Sequence, residues 1–174
     1  DGFAKMPLQA SIFASWYNTY GHLGTSLSRA AHGGTGKSRF SEVYMEKIWS
    51  DLYDAARKAM NPRMISSFVE AGGVGAAVES ASGKIYVGVC VDAACTLGIC
   101  AERNAIFNML TNGEDSIKRV VAVNRNGKVI PPCGACRELM TQLMPDGYRD
   151  IEIMLDFENN RVVTLGELTP EWRI

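Results

Sequence analysis

Between Met45 and Met60 the apolar side chains Ile48, Leu52, Ala55, Ala56 and Met60 recur at helical spacing, and Asn61-Pro62 follows as a stop signal. The pattern predicts one amphipathic helix that covers a sheet. Val74–Glu79 and Lys84–Val91 are β-rich runs separated by Ser80-Ala81-Ser82-Gly83, the composition of a hairpin turn. At Cys100 the period changes: Ala101, Ala105, Ile106, Met109 and Leu110 form one helical stripe that ends near Asn112-Gly113. Val120-Val121-Ala122-Val123, inside Arg119–Asn124, is a continuous apolar run, as expected of a strand buried on both faces. Ala135, Leu139, Met140, Leu143 and Met144 repeat the helical spacing up to Pro145-Asp146-Gly147, and Ile151–Leu155 and Arg161–Thr164 read as strands. Helix, two strands, helix, strand, helix, two strands is the order of an α/β layer fold with a mixed sheet of about five strands.

Residues 1–44 break this regularity, with scattered aromatics (Phe13, Trp16, Tyr17, Tyr20) and the glycine-rich stretch His32-Gly33-Gly34-Thr35-Gly36. They are read as an N-terminal extension, and 45–174 as the core domain. Ala31–Ser38 is a poor phosphate loop, because Ala31 stands where the first glycine is required and no apolar strand precedes it. His22 and His32, both in the extension, suit packing or exposed positions better than metal ligation.

Composition narrows the function. With 47% apolar residues, 174 residues fill one sizeable core. Eighteen Lys and Arg against 19 Asp and Glu leave a net charge of −1, which offers no general attraction to phosphate backbones or anionic lipid. No apolar run approaches the roughly 20 residues of a membrane span, so the expected setting is cytoplasmic. Five cysteines, three of them in two short motifs, suit reduced thiols and metal ligation better than a disulfide scaffold.

Those two motifs carry the chemistry. Cys100-Ala101-Glu102 opens one predicted helix and Pro132-Cys133-Gly134-Ala135-Cys136 opens another. A helix N-terminus brings free N–H groups and positive partial charge, which favour the thiolate that a metal needs. Three thiolates suit zinc, whose catalytic sites use three protein ligands and leave the fourth position to water. Glu102 lies on the first turn, two residues beyond a ligand, within reach of that water. Three thiolates over-neutralise the ion, and Arg103 and Arg137, each beside a ligand, are candidates to offset the excess. Two other readings compete. Cys95 with Cys100, Cys133 and Cys136 would make a closed structural zinc site of a non-catalytic interaction module; alternatively Cys90 and Cys95 are small buried residues.

Cys100-Ala101-Glu102-Arg103 with Pro132-Cys133-Gly134-Ala135-Cys136-Arg137 resembles the zinc signature of the cytidine deaminases and their relatives, including blasticidin S deaminase, in which the glutamate is a general acid/base and not a ligand. Val74-Gly75-Ala76-Ala77 is similar to that family's first-strand motif, and the resemblance spans about residues 45 to 170. It implies a three-layer fold and one Zn²⁺ per chain. It also implies hydrolytic release of ammonia from a cytidine-like nucleoside or related aminated heterocycle, with a blasticidin S-type antibiotic as the alternative substrate. A compact homotetramer, or failing that a homodimer, is implied as well, with Trp172 lining a neighbour's pocket and Ala101 in the substrate site. The family's ribose-binding Asn and Glu fall, by counting back from the metal motifs, on Val89 and Val91, which cannot accept hydroxyl hydrogen bonds. Ordinary cytidine is therefore expected to be a poor substrate, at roughly 1 to 3 kcal/mol for each unsatisfied polar group. A polynucleotide editor shares the metal motifs but needs a basic channel, which the charge balance does not favour.

Overall fold

The computed structural model describes residues 39–172, with side chains from Lys47 onward; the extension's histidines, aromatics and glycine stretch lie outside the described residues. The first helix, α1, runs Arg39–Ala59, so Met45 falls within it. A short strand, β1 (Arg63–Ser66), precedes the long β2 (Val69–Ser80) and its hairpin partner β3 (Ile85–Ala93). Then come α2 (Ala101–Thr111), β4 (Ile117–Asn124), α3 (Gly134–Leu143), β5 (Glu152–Asp156), β6 (Arg161–Thr164) and a single turn, α4 (Leu165–Leu168).

Six strands form one mixed sheet, one more than the pattern predicts. The addition is β1, whose four residues are all exposed and so show no alternation to read. β3 pairs along one edge of β2, while β1 and β4 take the two halves of the other edge. β5 lies parallel to β4 and antiparallel to β6, which makes β4-α3-β5 the crossover unit. The 80–83 turn closes as expected, with Gly83 at φ +86°.

Strand alternation sorts the core into two layers. Ala77, Val121, Val123 and Met154 face α1, where Trp49, Leu52 and Ala56 meet them. Ala76, Val78, Val120 and Ala122 face the other way and pack with Ala101, Ala105, Ile106 and Met109 of α2 and with Cys136 and Met140 of α3. The result is helix, sheet, helix: the three-layer α/β arrangement. Contact between layers is close. At Gly88 of β3, a Cβ would stand 2.3 Å from the Ala105 backbone nitrogen, so the backbone of α2 rests directly on the strand. A buried ion cluster sits within the α1 side, where Arg119 pairs with Glu79 at 2.7 Å and Glu152 at 2.6 Å and lies over the Trp49 ring. No helix among the described residues is long and apolar enough to cross a membrane.

Candidate active site

Cys100 and Cys133 occupy equivalent positions, each the extended residue immediately before its helix. Ser, Thr, Asp or Asn at such a position would use its side chain to cap the helix. Neither cysteine does, so both sulfurs are left for other work. Cys136, on the first turn of α3, completes the set. The Sγ atoms of Cys100 and Cys133 are 3.4 Å apart and those of Cys133 and Cys136 are 3.5 Å apart, and all three lie within 4.8 Å of one another.

The thiols are unequal. Burial pushes the Cys133 thiol up, but donation from the Cys136 and Ala135 N–H groups and from the neighbouring thiols outweighs it and leaves Cys133 below its ordinary value. Burial pushes Cys100 up, with Arg103 pulling against it. Cys136 is driven far up by burial and by the charge of Glu102. Packing three acidic sulfurs together without a cation is unfavourable, and a divalent ion removes that conflict. Arg103 adds an independent sign. Burial lowers its affinity for the proton, yet its bond to Cys100 and the charges of the three sulfurs reverse this and raise it. Its Nε is buried without a hydrogen-bond partner among the described residues. An orphaned donor beside three thiols fits an anionic, thiolate-rich metal centre.

Glu102, 4% exposed, sits on the first turn of α2. Burial lifts its carboxyl above the ordinary range, with its own backbone N–H, the Cys136 thiol and Arg103 pulling partly back. A carboxyl raised in this way can both take and return a proton. Beside it opens a pocket of about 440 Å³, lined by Glu102, Cys100, Cys133 and Ala101 and extending to the end of β3 and the loop after it.

The structure brings together most of the residues singled out from the sequence, but not all. Val91 lines the pocket and Val89 does not. The end of β3 contributes Cys90, Val91 and Asp92 to the pocket lining. Asp92 was missed because an ungapped count seeks Asn and Glu at two positions and passes over a carboxylate at the next. Arg137 turns its guanidinium onto two carbonyls, Pro132 O at 2.9 Å and Leu168 O at 3.1 Å, and so fastens the start of α3. Within its own chain Trp172 lies edge-on to Tyr148 and donates to Glu138 at 3.0 Å, away from the pocket. Two readings of Cys95 need correction. It is exposed, in a loop where it adopts φ +57°, so it is not a buried packing residue. The metal-ligating cluster among the described residues contains only Cys100, Cys133 and Cys136, so Cys95 makes no fourth ligand. Cys90 is buried as expected and accepts a hydrogen bond from the Val74 N–H at 3.2 Å.

Comparison with known proteins agrees with this geometry. The chain is 34% identical over 108 residues to blasticidin-S deaminase of Bacillus cereus, an alignment spanning 56% of this chain and 74% of that protein. It is 32% identical over 100 residues to the cytidine deaminase of Halalkalibacterium halodurans, with the same coverage. The crystal structure of cytidine deaminase from Mycobacterium leprae superposes with a TM-score of 0.57 at 31% identity, covering 71% of this chain and 98% of that one. That from Burkholderia pseudomallei gives 0.57 at 32% identity, again over 71% and 98%. Residues 49–147 match the family described as the cytidine and deoxycytidylate deaminase zinc-binding region, a stretch holding Cys100, Glu102, Cys133 and Cys136, and the chain therefore belongs to that family of zinc-dependent deaminases.

Proposed function

We propose that this chain hydrolyses the exocyclic amine of a cytidine-like nucleoside or a related aminated heterocycle, releasing ammonia. The observation that carries the reading is the convergence of three sulfurs from two helix starts on a pocket whose wall includes the buried carboxyl of Glu102. Cys100, Cys133 and Cys136 would hold one zinc ion, and a zinc ion bound so supplies the Lewis acidity that makes water nucleophilic near neutral pH. Glu102 moves the protons: it takes one from the attacking water and gives it to the ring nitrogen, then takes the second and gives it to the departing amine. One water is consumed, the bond between the ring carbon and the exocyclic nitrogen breaks, a C=O bond replaces it, and ammonia leaves. Arg103, held against Cys100, offsets the negative charge of the sulfurs. Ala101 and Val91 shape the wall on which the heterocycle rests.

The catalytic unit is taken to begin with α1, which is consistent with the matched region starting at residue 49. We further propose a homotetramer in a reducing, cytoplasmic setting. Five free thiols suit such a compartment. Met64, Ile65 and Phe68 on β1 and the turn after it, with Phe107 and Leu110 on α2, expose apolar surface that contacts between copies would cover. In that assembly Trp172, near the C-terminus, would approach a neighbour's pocket.

The test is ammonia release from cytidine, deoxycytidine, cytosine, blasticidin S and aminated purines by wild type and Glu102→Ala in parallel, with zinc content measured on both. Turnover by wild type, with loss of about 10²- to 10⁴-fold in Glu102→Ala at unchanged zinc, is expected. One zinc per chain with no ammonia from any of them would overturn the enzyme reading.

A further inference from the structure

Among the described strands β3 pairs with β2 alone, so the backbone groups of every second residue point away from the sheet; in β3 these belong to Val87, Val89 and Val91. An edge of this kind invites pairing with another chain unless something covers it. Here each outward carbonyl has a donor. That of Val91 accepts from the Ile99 N–H at 2.8 Å, that of Val89 from the Asn104 side-chain amide at 2.9 Å, and that of Val87 from the Asn108 side-chain amide at 3.1 Å.

The two asparagines reach alternate carbonyls because the spacings agree. Four residues of α2 rise about 6 Å and two residues of β3 about 6.7 Å, so amides one turn apart on a helix face meet every second residue of a strand running the other way. Their settings differ. Asn108 is exposed and lies one turn further from the sulfurs, whereas Asn104 is half-buried at the point where α2 touches β3. A Cβ on Gly88 would lie 2.7 Å from the Asn104 carbonyl carbon. Gly88 thus sets how near the helix comes, and the Asn104 amide sets where along the strand it stops.

The first turn of α2 is therefore fastened at both ends. At its start the Cys100 Sγ lies 3.4 Å from that of Cys133; four residues on, Asn104 is tied to Val89. Glu102 lies midway between the two ties. A turn held only at its start can pivot and carry the carboxyl with it, and a turn held at both ends keeps that carboxyl in one place on the pocket wall. We propose that Asn104 is a positioning residue for the deamination, aiming Glu102 through its bond to the Val89 carbonyl, while Asn108 makes the same kind of bond and only holds the helix down. This rests on the deaminase reading, which gives Glu102 its protons to move.

Zinc-loaded wild type, Asn104→Leu, Asn104→Ala and Asn108→Leu would be compared in ammonia release from cytidine and from blasticidin S, and in amide hydrogen exchange. Leucine has nearly the volume of asparagine without the donor, and Asn104→Ala removes the same donor without apolar bulk. All three variants should lose about 2 to 4 °C in Tm, the effect of one hydrogen bond. Both Asn104 variants should lower kcat about tenfold with KM within about threefold of wild type, short of the 10²-fold that a 1 Å misplacement costs; Asn108→Leu should stay within about twofold. In the Glu102→Ala background Asn104→Ala should cost nothing further, because there is no carboxyl left to aim. Independently of turnover, the Ala105 and Ile106 amides, which bond back to Ala101 and Glu102, should exchange about tenfold faster in the Asn104 variants and at the wild-type rate in Asn108→Leu. Unchanged exchange in the Asn104 variants overturns the proposal. So does unchanged kcat, an equal loss of kcat in Asn108→Leu, or a further tenfold loss in the Glu102→Ala background. Faster exchange confined to the Asn104 variants, with no ammonia released by wild type, would sink the deaminase reading and leave the tie between Asn104 and the first turn of α2 standing.

Discussion

Gly88→Ala is a change of one methyl group placed where the structure has no room for it. The added Cβ would lie 2.3 Å from the Ala105 nitrogen and 2.7 Å from the Ala101 oxygen, against an ordinary contact of 3.4 Å or more. Both atoms belong to the backbone of α2, so no side chain can swing aside; the helix must retreat from β3 by about 1 Å, the scale of misplacement that costs on the order of 10²-fold in rate. Cys100 immediately precedes this helix and Glu102 rides on its first turn, so the shift carries both away from Cys133 and Cys136. Overpacking of this kind destabilises by about 1 to 3 kcal/mol, which for a domain of this size lowers Tm by roughly 3 to 10 °C. The expected phenotype is therefore a folded protein with impaired zinc retention and kcat/KM reduced about 100-fold. Ammonia release, a colorimetric zinc assay and a thermal melt would be run together. Gly134→Ala is the control: it adjoins Cys133, but its Cβ would meet nothing within 4 Å, so activity should stay within about twofold. Wild-type zinc content and kcat/KM in Gly88→Ala would refute the claim that contact with β3 sets the position of the site.

Arg103→Ala should weaken zinc retention under chelator challenge and lower kcat, whereas Arg137→Ala should chiefly lower Tm, because its guanidinium holds two carbonyls rather than a sulfur; equal loss of zinc from both would contradict this division. Glu79→Leu leaves the Arg119 guanidinium with partly exposed Glu152 and without its buried partner, so urea unfolding should show a loss of about 3 kcal/mol, and a loss below about 1 kcal/mol would mean that Glu152 alone suffices. The Lys84 ammonium and the Ser80 and Ser82 hydroxyls hold the Glu114 carboxyl down to about 2. A depressed carboxyl stabilises the fold above its unfolded value and loses that contribution as pH falls toward 2, so Glu114→Gln should flatten the acid side of the stability profile. An unchanged acid slope in that variant would count against the depressed carboxyl as a source of stability.

The site was legible in the sequence because its ligands are local: two motifs, each opening a helix, name three cysteines and a glutamate without any knowledge of the sheet. The two long helices after the hairpin and the strand Arg161–Thr164 were legible from period alone. β1 was not, because an exposed edge strand buries no alternate face. The start of α1 lies upstream of the apolar stripe that announced it. The pocket's far wall was obscured for a different reason. An ungapped count along the sequence picks out Val89 and Val91, whereas the pocket is lined by three consecutive residues, Cys90, Val91 and Asp92, which no strand period announces.

The metal-ligating cysteines come from two helices with β4 between them in the chain, and this has a consequence for how the protein is made. While the polypeptide is emerging from a ribosome, Cys100 appears first, and at 5–20 residues per second roughly 2 to 7 s pass before Cys136 is synthesised. During that interval a lone thiol cannot retain an ion with the affinity of the finished trio. Zinc capture thus becomes a late checkpoint, open only to nascent chains that have been extended through β4 and into α3.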